Sequence, residues 1–488
     1  MRGLRRKLAI VAVCVAGSLV GQTATAAEAT TTVTANLTVD ASVNNGPLNN
    51  HSRFINSSRS GFLQAPLSAG ERAQLRDDLH VRTTRMFFAP KEVYDPATNA
   101  YNLSAYDANL AEVSTYSDRL LVSTTSLWEN GEWNTTPKGT LVSPAVYGQV
   151  LTTALRDYKA RYPKIEYIEC WNEPNAPEHG NITMAKYYEY YKACYEAANT
   201  VNAALNPTVP LKVGGPCPSN FNATLIPQFL DLYKADANPA KRLDFVSYHE
   251  YAVLSANPKI AYTEKSTVVS WLTARGLDPA TPVFVTEYGL YPGGSTGTDL
   301  QDLAHDQLVQ AAGMASTSRY FMLGGTDAAF HWAIRHKTND RKDILVDGAE
   351  GVLTPYGHMI EMQAKLKSDV VEVTPIGGAS VNGIGLQALA TADSSGVSVM
   401  YWNYQADAGT TAYKANITVK NLPASFAGKR IRLERWLVDA THSNYRYDPA
   451  QTTLTKVEDN TYPAGTQITK GPGLPENSIG LMVLTPVP

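Results

Sequence analysis

The sequence predicts an α/β fold, a (β/α)8 TIM barrel, followed by a C-terminal all-β sandwich domain. Three observations predict it. From about residue 60 to 365, short apolar strand-like runs alternate with amphipathic helical stretches, the rhythm of repeated βα units. No Gly-rich phosphate turn follows an early strand, as a doubly wound open sheet would usually carry. From about residue 370 onward the chain reads as strands and turns only. At 488 residues the chain exceeds one small core, and 44% hydrophobic with 18% charged residues is ordinary for a folded enzyme.

Taken in order, residues 1–26 read as a signal peptide. Arg2, Arg5, Arg6 and Lys7 form a positive start, an apolar run extends from Leu8 to about Val20, and Ala24-Thr25-Ala26 fits a cleavage site. The run is too short for a spanning helix, and the expectation is a secreted, extracellular protein cleaved near Ala26. The Arg5-Arg6 pair also fits the twin-arginine route. Residues 27–50, with "TTTVTANLTVDASV", read as a strand segment that packs with the β domain.

Residues 51–367 are assigned to the barrel. Its strands are expected around "SRFINSSRSGFL" (52–63), "VRTTRMFF" (81–88), "RLLVSTTSLW" (119–128), "IEYIECWNEPN" (165–175), "LKVGGPCP" (211–218), "LDFVSYHEY" (243–251), "TPVFVTEYG" (281–289) and "AAFHWAIRH" (328–336). Eight such strands close a barrel of about 250 residues or more, with chemistry at their C-terminal ends. Residues 368–488 supply the β-sandwich strands, expected to pack tightly on the barrel.

Net charge is −3, and the one dense basic cluster lies in the first seven residues, so no nucleic-acid footprint is present. No later stretch is apolar enough to suggest a membrane partner. Cys170, Cys194 and Cys217 remain after cleavage. Three cysteines allow at most one internal disulfide, and without C-x-x-C spacing they argue against a zinc or redox site. Glu178-His179 could begin a metal site, but no third ligand accompanies them at a sensible spacing. No cofactor or metal is expected.

The chemistry points to two carboxylates. Glu173 ends the fourth barrel strand and Glu287 the seventh, each after an apolar β run where a carboxylate is costly without a purpose. Strand tips four and seven face one another across a barrel mouth. A glycosidic bond needs an acid on its leaving oxygen and a carboxylate on the opposite face. The acid at Glu173 should have its pKa raised while Glu287 is ionised, and lowered once that charge is consumed.

"WNEPN" (171–175) and "TEYG" (286–289) resemble the acid/base and nucleophile signatures of clan A glycoside hydrolases, most nearly family 39, which includes β-xylosidases and α-L-iduronidases. The resemblance implies a retaining enzyme acting on an oligo- or polysaccharide, with Glu173 the acid/base and Glu287 the nucleophile. It implies that Asn172 binds the hydroxyl beside the reacting carbon. It makes Arg82 the arginine that orients the nucleophile and lowers its pKa, and it puts Thr84 where the family carries a sugar-binding histidine. That departure points away from classical xylosidase specificity toward arabinofuranose or another pentose. His249 is expected to hydrogen-bond near Glu287, while strand alternation turns Glu250 away from it. Tyr251 and Tyr288 are expected to line the pocket. Trp332 fits the aromatic platform of strand eight, with His331 and Arg335 in reach of the rim, and Trp128 offers a second platform. Rival readings are an endo-acting exopolysaccharide hydrolase, which needs an open groove, and a non-catalytic carbohydrate-binding barrel, which the presence of both carboxylates opposes.

Overall fold

The computed structural model describes residues 31–57, 66–129, 139–251, 253–290, 300–337, 340–375, 378–406 and 409–488. The expected signal peptide, residues 58–63 of the expected first strand and most of the loop after Trp128 lie outside them. Among the described residues no helix is long and apolar enough to cross a membrane.

The first strand, β1 (Thr32–Pro47), precedes the barrel. The barrel strands are β2 (Phe54–Ser57), β3 (Thr83–Phe88), β4 (Arg119–Thr124), β5 (Ile165–Glu169), β6 (Lys212–Pro216), β7 (Phe245–Glu250), β8 (Val283–Tyr288) and β9 (Ala328–His331). They close in sequence order, every neighbouring pair parallel. Leu121, Phe245, Phe284, Ala328 and Phe330, with Phe54 and Tyr167 beside them, fill the barrel interior as an apolar plug. The mouth above this plug is therefore the part of the interior left for polar side chains.

Helices start where the sequence places caps. In α1 (Pro144–Arg161), Ser143 accepts from Val146 N and Pro144 supplies the pre-set first turn. In α2 (Met184–Leu205), Thr183 accepts from Lys186 N, and the helix ends on Asn206 in a left-handed conformation. Tyr187, Tyr191 and Tyr195 recur every four residues on α2 and are all buried. The Tyr187 hydroxyl donates to Cys170 O (2.6 Å) at the end of β5. Gly215 on β6 is required there, because a Cβ would stand 2.4 Å from that hydroxyl. A disulfide joins Cys170 to Cys194 on α2, and Cys217 is free and buried.

The later strands form one eleven-stranded, mostly antiparallel sheet that curls around a second core including Leu37, Val39, Leu386, Val399, Ile417, Leu433 and Leu484. β1 lies inside this sheet, antiparallel to Asp369–Thr374 and parallel to Ala412–Lys420. The sheet's other face joins the barrel's helical layer. Trp402 Nε1 donates to Ser316 Oγ (2.7 Å), Tyr404 Oη to Ser255 O (2.8 Å) and Arg319 Nε to Ala388 O (3.1 Å).

Candidate active site

A strand alternates its side chains, so Asn172 and Glu173 at the end of one strand should point apart. The backbone prevents this. Trp171 (φ 79°) and Glu173 (φ 48°) both take left-handed conformations directly after β5. Such conformations cost about 1–2 kcal/mol in a non-glycine residue and persist only where packing enforces them. Here Trp171 is buried against Tyr147 and Tyr190, its Nε1 donates to His179 O (2.9 Å), and its backbone N donates to Thr124 Oγ1 (2.8 Å). Glu173 N donates to Cys217 O (3.0 Å). Asn172 and Glu173 then both reach the cluster at the mouth.

Glu287 arrives by a different device. The register of β8 shifts between Val285 and Glu287 against β7, a bulge that re-aims the residue it displaces. Arg85 Nη1 donates to Glu287 Oε1 (2.6 Å) and Tyr251 Oη to Oε2 (3.0 Å). Gly289 makes room for that tyrosine, since a Cβ there would lie 3.1 Å from the Tyr251 ring. Burial, and Glu287 beside it, raise the Tyr251 phenol well above its usual range, so it stays a donor.

His249 joins the two carboxylates. Its Nδ1 donates to Glu173 Oε1 (2.6 Å) and lies 3.6 Å from Glu287 Oε2, while Nε2 lies 3.2 Å from Cys217 Sγ. Burial opposes the imidazolium, but Cys217, Glu287 and Glu173 around it carry its pKa well above the usual value. Burial alone would raise Glu173, yet the hydrogen bond and charge of His249 hold it below the usual carboxylate range. The rise expected from an ionised Glu287 is not found, because the His249 contact outweighs burial at Glu173. A carboxylate oxygen of Glu173, one of Glu287 and a ring nitrogen of His249 all lie within 4.8 Å of one another.

The arginine of the site is Arg85, not Arg82. Arg82 precedes β3, pairs with Asp118 at 3.6 Å and donates to Val81 O and Arg76 O, well away from the mouth. Thr84 faces outward and shares a hydrogen bond with Ser117 (2.6 Å). The odd-numbered positions of β3 face inward, so Arg82 and Thr84 belong to the wrong frame. Arg85 is fully buried and also reaches Glu169 Oε2 (2.7 Å), Asn56 Oδ1 (3.0 Å), Ser123 Oγ (3.0 Å) and Asn172 Oδ1 (2.7 Å). Two residues on, where a histidine would stand, is Phe87. Glu169, Asn56 and Phe87 were missed by sequence reasoning. The alternation of β3, whose Met86 and Phe88 pack outward in the main core, is the signal that finds Arg85 and Phe87; Asn56 and Glu169 follow only from the inward rows of β2 and β5.

Other expectations also change. Tyr288 does not line the pocket: its hydroxyl meets His331 (3.0 Å) and its ring packs on Phe321, behind the barrel wall. His331 bonds Tyr356 (2.7 Å) on the same side, and Arg335 pairs with Glu71 (2.7 Å). Trp332 packs edge-on to Phe87, ring centres 5.8 Å apart. Trp128 is buried, its Nε1 donating to Ser126 Oγ (3.2 Å). Asn172 Nδ2 meets His179 Nε2 (3.2 Å), and Arg85 fixes that orientation by holding Oδ1. The third donor that Glu178 and His179 lacked in sequence is Glu173, within 4.8 Å of both.

On the outer side of β7, Glu250 accepts from Phe221 N (2.8 Å). Burial and Glu264 push its carboxyl up to about 8, and burial pushes Glu264 up to about 7. A group raised on folding stabilises fully below its unfolded pKa and loses that contribution as pH rises through its folded value. Wild-type stability should therefore fall between about pH 5 and 8. Glu250→Gln should be the more stable protein at pH 8.5, by roughly 2 kcal/mol. Thermal unfolding across that window checks it; parallel curves for the two proteins would refute it.

Two carboxylates with oxygens within 4.8 Å of each other at the C-terminal mouth of a (β/α)8 barrel are the arrangement that retaining glycoside hydrolysis uses. Within clan A the resemblance is to family 39: the model of glycosyl hydrolases family 39 matches residues 112–318, which carry both Glu173 and Glu287. The chain is an O-glycoside hydrolase. A glucosidase from Croceicoccus marinus shares the fold at 17% identity and TM-score 0.68, covering 93% of this chain and 100% of its own. A GH39 enzyme from Xanthomonas axonopodis pv. citri does so at 17% identity and TM-score 0.69, with 93% and 98% covered. A monomeric beta-xylosidase from Caulobacter crescentus CB15 does so at 16% identity and TM-score 0.65, with 93% and 100% covered. No curated protein sequence matches the chain.

Proposed function

We propose that the protein is a secreted glycosidase that cleaves pentose-containing plant-type saccharides by double displacement. Glu287 is the nucleophile and Glu173 the acid/base. The observation that carries this reading is the approach of the two carboxylates to within 4.8 Å, bridged by His249. Glu287 is held by Arg85 and Tyr251 with its oxygens fixed for attack on the anomeric carbon. Glu173 hands a proton to the leaving oxygen, then takes one from water as the glycosyl-enzyme breaks down. In this reading His249, one hydrogen bond from Glu173 and with its pKa carried well above the usual value, stores the proton in the free enzyme. Asn172 keeps one amide N–H for the sugar hydroxyl beside the reacting carbon.

Secretion rests on the leader-like start of the chain. Pentose preference rests on Phe87 and Trp332 rather than on Thr84. Their rings form a largely aromatic surface beside Arg85, and a hydroxymethyl group buried against such a surface without a hydrogen-bond partner costs about 1–3 kcal/mol. Aryl arabinofuranosides and xylosides should therefore exceed aryl glucosides in kcat/KM by about tenfold to a hundredfold. Equal or better turnover of the glucoside would remove the pentose assignment and leave the mechanism standing.

His249→Gln tests the proton store. With His249 present, the Glu173–His249 pair holds its proton to above neutral pH, because the raised group is the histidine. Without it, the proton falls to Glu173 alone. The basic limb of kcat/KM should move to lower pH, with kcat down by about 10²-fold. An unmoved limb would mean that His249 only packs.

A further inference from the structure

The loop after β9 brings a lysine to the mouth that this mechanism does not use. The loop is fastened to the strand end through its backbone: Ala333 N donates to Lys342 O (3.1 Å), Ile344 N to Ala333 O (3.1 Å) and Leu345 N to Ile334 O (2.9 Å). Asp343 pins it, accepting from His336 N (2.9 Å), His336 Nδ1 (2.5 Å) and Asp340 N (2.6 Å). Asp340 in turn accepts from Lys342 N (3.0 Å). Lys342 is thus held on a rigid loop, and it is only 3% exposed.

A lysine normally extends its ammonium to water, and withdrawing it is costly unless negative charge or an aromatic face receives it. The Lys342 ammonium lies 5.8 Å from the centre of the Tyr251 ring. The hydroxyl of that ring donates to Glu287 Oε2. Among the described residues, Asp340, Asp343 and Glu287 are anionic groups acting on Lys342, and Arg341 acts as a cation. Burial pushes the ammonium below its usual range, and those three carboxylates oppose the shift.

We propose that Lys342 is a positioning residue for the nucleophile: its charge holds the Tyr251 ring by a cation–π contact, and so holds the hydroxyl on Glu287. Arg85 approaches Glu287 from β3, while Lys342 acts from the β9 side through Tyr251. The proposal rests on Glu287 being the nucleophile.

The test is a double-mutant cycle on the full-length enzyme. Lys342→Met should lower kcat about tenfold with KM within about twofold. In a Tyr251→Phe background the same change should have under about twofold effect, because the hydroxyl it positions is gone. Lys342→Arg should recover most of the activity. Fully additive effects, a raised KM with kcat kept, or wild-type kinetics for Lys342→Met would each overturn the proposal. Azide rescue of a Glu287→Gly variant probes the nucleophile separately. Failed rescue sinks that assignment, whereas intact rescue with no Lys342–Tyr251 coupling sinks this proposal alone.

Discussion

Glu287→Gly is expected to lose kcat by on the order of 10⁴-fold or more, and sodium azide is expected to restore turnover with an inverted glycosyl azide as product. The reason is geometric. Deleting the carboxylate leaves a space lined by the donors that held it, Arg85 Nη1 and the Tyr251 hydroxyl. A small anion suits that space, and it attacks the anomeric carbon from the nucleophile's side in a single displacement. Glu173 remains opposite it to protonate the leaving oxygen. Glu173→Gly should behave differently. There the first step still forms a glycosyl-enzyme on Glu287, and azide then attacks from the other face, giving a product of retained configuration. Substrates with good leaving groups need little protonation, so aryl glycosides should suffer less in Glu173→Gly than natural saccharides. Rescue in either variant with the opposite stereochemistry would exchange the two roles.

Arg85→Met should be the most damaging change outside the carboxylates, in stability and in rate together. The guanidinium is fully buried and pairs with Glu169 and Glu287. Burial opposes the charge on Glu169, and Arg85 is the main group that holds its carboxyl below the usual range. Removing one partner of a buried pair costs about 3–5 kcal/mol, because the other charge is left unpaired. Thermal unfolding should fall by on the order of 10 °C, and kcat by about 10³-fold or more as Glu287 and Asn172 both lose their anchor. Arg85→Met/Glu169→Leu should regain much of the stability and none of the activity. Arg82→Met provides the control. Its ion pair with Asp118 is largely exposed and worth at most about 1 kcal/mol, so that variant should unfold and turn over like wild type. Loss of activity in Arg82→Met with a functional Arg85→Met would restore the original assignment.

That contrast shows what was legible in the chain and what was not. The barrel was legible because each strand is an apolar run bounded by helices, and the closing order follows from sequence order. Glu173 and Glu287 stood out because each follows such a run. The parity of an individual side chain was not legible. "VRTTRMF" holds two arginines three positions apart, and an odd offset flips the face, so strand boundaries decide between them. Glu169 hid inside the run that made Glu173 conspicuous; only the barrel's inward row brings it to Arg85. Tyr251 and Tyr288 are both tyrosines at strand ends, yet the bulge in β8 and the bare Gly289 send one to the nucleophile and the other behind the wall. Lys342 lies in a loop with no periodicity to read, and its place depends on backbone bonds to β9.

The central claim is that Glu287 forms a covalent glycosyl-enzyme. Incubation with a 2-deoxy-2-fluoro aryl pentoside, followed by peptide mass mapping, measures it directly, because the fluorine slows breakdown of the intermediate. The account predicts one added sugar per chain, located on the peptide that contains Glu287 and absent in Glu287→Gln. A label on the Glu173 peptide, or turnover with inverted product and no label, would contradict it.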